Sequence, residues 1–317
     1  MSSVTDRQGA LPRALALLLL VAVVAAACSS SGSAPPSTAG AVPSPGFPVQ
    51  IAGVTVKTRP TAVISLSPTA TEDLFAIGAG AQVVAVDDQS DYPPAAPKTS
   101  LSGFKPNIEA IAAKRPDLVV VADDSSGVAA SLGKIGIPTL VEDAAPTLND
   151  AYTQIEQLGT ATGHTTEANA LVTSMRAAIA AVVAAQPHRA SPPRIYHELD
   201  QTFYSATSKS FIGQLYTLLG AHDIADAADS QGSGYPQLSA EYIVKSDPDV
   251  IFLADHLCCG QTPATVAGRP GWSVITAVRD HAVVTLDDDV ASRWGPRVVD
   301  LVKAIAAGLA LAPPGTS

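Results

Sequence analysis

The side chains in this sequence that could bind a metal ion or form a covalent bond lie far apart, with one exception. Cys258 and Cys259 are neighbours in the stretch ADHLCCGQTP, and His256 precedes them by two positions. In an oxidising compartment, two adjacent cysteines can form a disulfide that stiffens the loop carrying them. The same side chains could instead bind a metal or a cobalt centre, although they would need further ligands. The disulfide is the interpretation that we expect.

The sequence contains no arrangement of residues that is typical of an enzyme. The six histidines are scattered, at positions 164, 188, 197, 222, 256 and 281, and form no zinc or manganese motif. A P-loop, a GxGxxG turn and a GxSxG elbow are missing. Ser67, in SLSPTATE, has no base at a recognisable spacing and is predicted to cap a helix. We therefore predict no catalytic residues, no resident cofactor and no protein-bound metal.

His197 is the histidine with the best claim to a role away from the surface. It lies beside Glu198 on the apolar stretch RIYHEL, which is predicted to form a buried strand. Most of the histidines are expected to lie on the surface.

One unit of sequence occurs twice, as IEAIAAKRPDLVVVADD from residue 108 and as AEYIVKSDPDVIFLADH from residue 240. In each copy a glutamate, Glu109 or Glu241, precedes a Pro-Asp pair by seven residues, and an apolar run ending in Ala-Asp follows. The preceding segments TEDLFAIGAGA and IGQLYTLLGAH are also alike. A helix, a proline and a strand could recur in any α/β protein, but similarity over this length predicts two related lobes.

Composition limits the possible partners. The chain has 317 residues, of which 47% are hydrophobic, and this is enough for two units of ordinary domain size. Its net charge of −10 and the lack of clustered Lys and Arg argue against nucleic acid, whose phosphates require a basic surface.

The first 28 residues have the pattern of an export signal. Arg7 and Arg13 precede an apolar run over residues 15–27, which is too short to span a membrane but suits a signal peptide. The run ends in VVAAACSS, so Cys28 would become the N-terminal residue that carries lipid. Simple secretion is the alternative. Residues 29–59, rich in Ser, Pro and Gly, are predicted to be a flexible tether.

The remaining chain alternates β-branched runs with helical segments. Residues 60–146 are predicted to form an N-terminal α/β lobe and residues 188–317 a C-terminal one. Between them, residues 147–187 are Ala-rich and amphipathic, without a strand candidate, and are predicted to form a helical connector. The predicted fold class is α/β: two similar Rossmann-like lobes with parallel sheets, joined by a long helical connector.

Five stretches in this order resemble the type III periplasmic binding proteins, the substrate-binding proteins of ABC importers in the cobalamin and iron-siderophore family. They are ISLSPTATEDLFAIGAG, DQSDYPPAA, GFKPNIEAIAAKRPDLVVV, YPQLSAEYIVKSDPDVIF and SRWGPRVVD, and the resemblance spans residues 60–312. It implies a monomer on the outer face of the cell membrane, anchored through lipid on Cys28. It also implies a partner, an ABC permease with a cytoplasmic ATPase, whose arginines Glu109 and Glu241 would contact.

The resemblance also implies a ligand cleft between the lobes, which the Cys258–Cys259 loop should border. Compared with vitamin B12-binding members of the family, the residues that would contact the ligand are Tyr92, Phe104, Phe203, Tyr235, Asp289, Arg293 and Trp294. Tyr235 stands where those members have Trp, Trp294 is additional, and Phe104 corresponds only approximately. These departures leave the ligand open between a corrinoid, which we expect, and a ferric siderophore or haem. An extracytoplasmic enzyme or an adhesion lipoprotein on the same fold is the alternative of another class.

Overall fold

The structure, a computed structural model, describes residues 46–314. The predicted signal peptide, Cys28 and the first part of the tether lie outside the described residues. The prediction that the flexible tether extends to residue 59 was wrong for its last part, residues 49–56. A β-hairpin occupies this stretch, formed by β1 (Val49–Ile51) and β2 (Val54–Val56). Ile51 and Val56 alternate with exposed residues and are buried in the core, so the folded body begins before residue 60.

The N-terminal lobe is built around a parallel sheet of five strands in the order β5-β4-β3-β6-β7. Its elements are β3 (Val63–Leu66), α1 (Pro68–Ala76), β4 (Val83–Asp87), β5 (Lys98–Leu101), α2 (Ile108–Ala113), β6 (Leu118–Val121), α3 (Val128–Lys134) and β7 (Thr139–Val141). The central strands β3 and β6 are buried along their whole length, as their unbroken apolar sequence predicts for strands covered on both faces. The prediction that Ser67 caps a helix is confirmed, because its hydroxyl accepts from the Ala70 amide.

The connector consists of two packed helices, α4 (Leu148–Thr162) and α5 (Thr165–Ala184). Gly163 ends α4 in the left-handed conformation, with φ of 75°. Gly159 lies where the helices approach closely: a Cβ there would be 2.3 Å from the Cβ of Ala168. The length and apolar composition of α5 would suffice to cross a membrane. In the body, however, its buried side chains, such as Val172 and Met175, belong to the main core.

The C-terminal lobe has a parallel sheet of four strands in the order β11-β10-β8-β9. Its elements are β8 (Arg194–Glu198), α6 (Phe211–Leu218), β9 (His222–Asp223), α7 (Ala240–Ser246), β10 (Val250–Leu253), α8 (His256–Cys259), α9 (Pro263–Ala267), α10 (Thr276–Arg279), β11 (Val283–Thr285), α11 (Asp288–Ala291) and α12 (Val298–Leu309). Two lobes with parallel sheets and a helical connector confirm the predicted fold class.

The repeated Pro-Asp pair has the same role in both lobes. Asp117 accepts hydrogen bonds from the amides of Thr61 and Ala62, immediately before the first strand of its sheet. Asp249 accepts from the amide of Arg194, the first residue of β8, at 2.7 Å. Each aspartate thus joins the loop after the repeated helix to the start of the first sheet strand of its own lobe. This shared tertiary contact explains why the spacing recurs.

Candidate functional site

The strand order of both sheets indicates where a ligand would bind. In each lobe the first sheet strand, β3 or β8, has later strands on both sides, so the chain changes direction there. In open α/β sheets, ligands bind beyond the carboxyl ends of the strands at such a point. The segments that follow β3, β4, β8, β10 and β11 carry most of the residues nominated from the sequence.

Arg293 connects the two lobes. Its guanidinium donates to Glu72 of α1 at 2.9 Å, to Asp91 at 3.1 Å and to the carbonyl of Gln89 at 3.2 Å, all in the N-terminal lobe. It also donates to Asp289 of its own lobe at 2.8 Å. Arg293 is 9% exposed, and its two terminal nitrogens are each used twice. It therefore holds the lobes together, a use that its nomination as a ligand contact did not foresee.

Tyr92 lies at the edge of the same ionic cluster. Arg297 donates to both carboxylate oxygens of Glu72, at 2.8 and 2.6 Å, and its guanidinium carbon lies 4.3 Å from the centre of the Tyr92 ring. Tyr92 remains 44% exposed beside a cavity of about 410 Å³. The ring is thus held in place by a cation, and part of its surface stays accessible.

Tyr235 and Trp294 line another cavity, of about 360 Å³, with Lys209 at its edge. The indole nitrogen of Trp294 donates to Gln154 of α4 at 2.7 Å, so the ring of this additional tryptophan is oriented by the connector. Tyr235 is 48% exposed. The two rings offer flat apolar surface beside the lobe junction.

Phe203 belongs to a separate cluster behind the end of β8. Its ring packs against Trp272, with centroids 5.6 Å apart, and the Arg269 guanidinium lies 4.5 Å from the Trp272 ring centre. Arg269 binds both carboxylate oxygens of the buried Glu198, at 2.6 and 2.5 Å. Phe203 has a positive φ of 69°, which a non-glycine residue adopts only when its surroundings fix it.

Asp255, two residues after the end of β10, is fully buried beside this cluster. Among the described residues, neither of its carboxylate oxygens has a hydrogen-bond partner. Burial, together with the charge of Glu198, raises the pKa of Asp255. In the sequence, Asp255 stood out only as the aspartate of the Ala-Asp pair that ends the repeated unit.

Two further carboxyl groups at the lobe junction had no signal in the sequence. Asp73 is buried, and its Oδ1 lies so close to Gly295 of the C-terminal lobe that a Cβ there would approach it to 3.2 Å. Burial and the neighbouring Glu142 raise the pKa of Asp73 well above its ordinary value. Burial, reinforced by Asp143, raises the pKa of Glu142 to about 8. With a pKa of about 8, the Glu142 carboxyl is largely uncharged at neutral pH.

The remaining nominated residues are on the surface. Phe104 is 85% exposed and does not belong to either aromatic-lined cavity. Glu109 and Glu241 are exposed and occupy the second position of α2 and α7, where Asn107 and Ser239 cap the two helices in the same way. The two glutamates are therefore equivalent in structure as well as in sequence.

The cysteine pair lies in the short helix α8. Cys258 and Cys259 form a disulfide and are exposed. Asp288 accepts hydrogen bonds from the amides of His256, Leu257 and Cys258, at 2.7 to 3.1 Å. Asp288 thereby joins α8 to α11, the helix that carries Asp289, which binds Arg293. This role of Asp288 could not be predicted from local sequence, since 30 residues separate it from Cys258.

His197 is fully buried and hydrogen-bonded to the Tyr216 hydroxyl at 2.8 Å. Burial lowers its pKa to about 3, so the imidazole is neutral. Its role is to pack within the C-terminal lobe.

Comparisons with known proteins agree with this architecture. The chain is 31% identical over 274 residues to the ABC transporter substrate-binding lipoprotein YvrC of Bacillus subtilis, covering 82% of this chain and 85% of that one. It is 30% identical over 267 residues to the vitamin B12-binding protein of Pectobacterium carotovorum, covering 81% and 91%.

Solved structures show the same fold. The periplasmic vitamin B12 binding protein BtuF of Vibrio cholerae superposes with a TM-score of 0.64 at 26% identity, over 80% of this chain and 97% of that one. The periplasmic heme binding protein HutB of the same species superposes with a TM-score of 0.69, over 78% and 98%. At 22% identity this second likeness concerns the fold alone. Because residues 63–290 match the periplasmic binding protein family, the chain belongs to that family and is a substrate-binding protein of the type that serves ABC importers.

Proposed function

We propose that this protein is an extracytoplasmic, lipid-anchored receptor that captures a corrinoid between its lobes and delivers it to an ABC permease. The family places it among transport proteins that bind vitamin B12, iron chelates or haem. The relative named for vitamin B12 binding, at 30% identity over most of both chains, supports a corrinoid among these.

The corrinoid proposal rests on one observation: the arginines beside the proposed cleft are already paired with carboxylates. Arg293 and Arg297 are bound to Glu72, and Arg269 is bound to Glu198. An anionic ferric siderophore or the propionates of haem would need cationic groups that are free to pair with them. These three guanidinium groups already have carboxylate partners, and within residues 46–314 Lys209 is the one lysine that lines the cavity of Tyr235 and Trp294. The site thus offers few free cations to a strongly anionic ligand, which favours a ligand without strong negative charge.

The rings near the junction suit a large, flat, uncharged molecule. Tyr92, Tyr235 and Trp294 present aromatic surface, and two of them are each more than 40% exposed. A corrin ring offers apolar faces to such side chains and amide groups to neighbouring polar ones.

The test is calorimetric titration of the purified protein with cyanocobalamin, cobinamide, haem and ferric siderophores. We expect saturable 1:1 binding of the corrinoids. Tyr92→Ala should weaken it by about tenfold, the order of one lost aromatic contact. Tyr92→Phe, which keeps the ring, is the matched control and should bind like the wild type. Binding of an iron chelate or haem alone would overturn the choice of ligand and keep the transport function. Binding of none would favour an extracytoplasmic enzyme or adhesion protein.

Lipid anchoring through Cys28 needs a separate test. Full-length protein expressed in its host should fractionate with membranes, and Cys28→Ala should release it or block its processing. A wild-type protein found in the soluble fraction, or a Cys28→Ala variant that is processed and membrane-bound like the wild type, would argue against an anchor at this residue.

A further inference from the structure

His256 differs from the other five histidines in its position. His222 pairs with Arg194 at the amino end of the sheet, and His281 precedes β11 at that same end. His197 is buried inside β8, His164 lies between α4 and α5, and His188 follows α5. Only His256 lies shortly after the carboxyl end of a strand: β10 ends at Leu253 and His256 begins α8, at the edge where parallel sheets bind ligands.

The imidazole of His256 has one nitrogen engaged and one open. Nδ1 lies 2.8 Å from the carbonyl oxygen of Gln261. A carbonyl can only accept, so Nδ1 carries the hydrogen, and the lone pair of the neutral ring is on Nε2. Among the described residues Nε2 has no hydrogen-bond partner. Histidines that bind a metal have this arrangement, because the second hydrogen bond fixes the tautomer and the ring orientation.

The backbone that carries His256 is held rigidly. The Asp288 carboxylate accepts from the amides of His256, Leu257 and Cys258, and Cys258 is bonded to Cys259. Gln261, which orients the ring, is itself held by Arg269, whose Nη2 donates to its side-chain oxygen at 2.8 Å. A metal ligand needs such fixed support, since a mobile one pays a larger entropic cost on binding.

We infer that His256 is an axial ligand for the metal at the centre of the bound molecule, which under the proposed function is the cobalt of a corrinoid. In the bound complex with aquocobalamin, a bond forms between Nε2 and cobalt(III), and the bond from cobalt to its water breaks. Water leaves, and no electron or proton is transferred. Cyanocobalamin, whose cyanide is not displaced readily, would bind without this bond.

This inference rests on the proposed function, and the experiment separates the two. The visible absorption spectrum of aquocobalamin is recorded free and bound to wild-type protein, to His256→Gln and to His222→Ala. His256→Gln keeps a donor for the Gln261 carbonyl but lacks an imidazole. His222→Ala is the matched control, an exposed histidine at the opposite end of the sheet. Circular dichroism and the melting temperature confirm that each variant is folded.

We expect bound aquocobalamin to show the spectral change of nitrogen ligation in wild type and His222→Ala but not in His256→Gln. Affinity for aquocobalamin should fall roughly tenfold or more in His256→Gln, the order of a lost metal contact, whereas affinity for cyanocobalamin should not change. An identical spectrum for wild type and His256→Gln would overturn the axial ligand and leave corrinoid capture intact. Failure of wild type to bind any corrinoid would overturn the proposed function, and the inference with it.

Discussion

Arg293 of the C-terminal lobe lies 2.9 Å from a carboxylate oxygen of Glu72 in the N-terminal lobe, although 221 residues of sequence separate them. Asp91 and the Gln89 carbonyl complete its partners on that side. The contact makes a buried ionic bridge between the two lobes.

Replacing Arg293 should therefore destabilise the protein. Arg293→Ala leaves Glu72 buried with Arg297 as its remaining cation, so we expect a loss of about 2–3 kcal/mol in the free energy of unfolding, below the ~3–5 kcal/mol of a fully orphaned buried charge. Urea unfolding measures this. Lys303→Ala, which removes an exposed pair with Asp300, is the control and should change stability by less than about 1 kcal/mol. Equal effects in the two variants would contradict the bridge.

Glu142 should make stability depend on pH. Its pKa is raised to about 8 in the folded protein, so its contribution to stability is fully present below the ordinary value of 4.5 and is lost as pH rises towards 8. Glu142→Gln mimics the protonated form. We expect it to raise the free energy of unfolding by roughly 2–4 kcal/mol at pH 8 and to have little effect at pH 4.

Denaturant unfolding at both pH values gives the comparison. Asp150→Asn, at an exposed position in the first turn of α4, serves as the control. A stabilising effect of Glu142→Gln that is equally large at pH 4 would show that charge is not its cause.

The close packing of α4 against α5 can be tested by comparing the stabilities of two glycine variants. Gly159→Ala would place a Cβ 2.3 Å from that of Ala168, so we expect a loss of about 1–3 kcal/mol. Gly133, in α3, has nothing within 4 Å of the added carbon. Gly133→Ala should therefore be neutral or stabilise by up to about 1 kcal/mol through helix propensity. Thermal unfolding distinguishes the two, and destabilisation of both by the same amount would refute the packing argument.

Reducing the disulfide should hardly affect stability. Cys258 and Cys259 are adjacent, so their bond encloses no intervening segment and restricts the unfolded chain little. We expect the melting temperature to change by less than about 2 °C when the bond is reduced with dithiothreitol. Mass spectrometry after alkylation confirms reduction. A fall of many degrees would mean that the bond holds together more than α8.

The equivalent glutamates should matter for uptake and not for binding. Under the proposed function Glu109 and Glu241 meet arginines of the permease, so Glu109→Lys with Glu241→Lys should abolish transport while calorimetric affinity stays at the wild-type value. Glu167→Lys reverses an equally exposed charge, in the first turn of α5, and should transport normally. Uptake that survives the double reversal would exclude docking through these residues.

Local pattern was sufficient to predict most of the fold. The stretch RIYHEL, which was predicted to form a buried strand, contains β8, and the connector helices α4 and α5 lie within the predicted range. The unpredicted strands were the hairpin and the short β5 and β9, whose sequences lack a sustained apolar run. Their pairing is decided by the neighbouring strand and not by their own residues.

The candidate site could be predicted only in part. Aromatic residues near the lobe junction were found because their motifs resemble those of the family. The partners of Arg293 and the burial of Asp73 and Glu142 depend on contacts between distant segments, for which one sequence carries no signal. The sequence alone does not show whether an arginine is free to bind a ligand or is already paired with a carboxylate.

The hydrogen bonds of Asp117 and Asp249 link the surface glutamates to the positions of the two lobes. Because each aspartate fixes the loop after its helix to the first sheet strand of its lobe, Glu109 and Glu241 each follow the motion of one lobe. The distance between the carboxylates of Glu109 and Glu241 therefore depends on the angle between the lobes. Under the proposed function, a permease that contacts both glutamates at once would respond to that angle without touching the cargo.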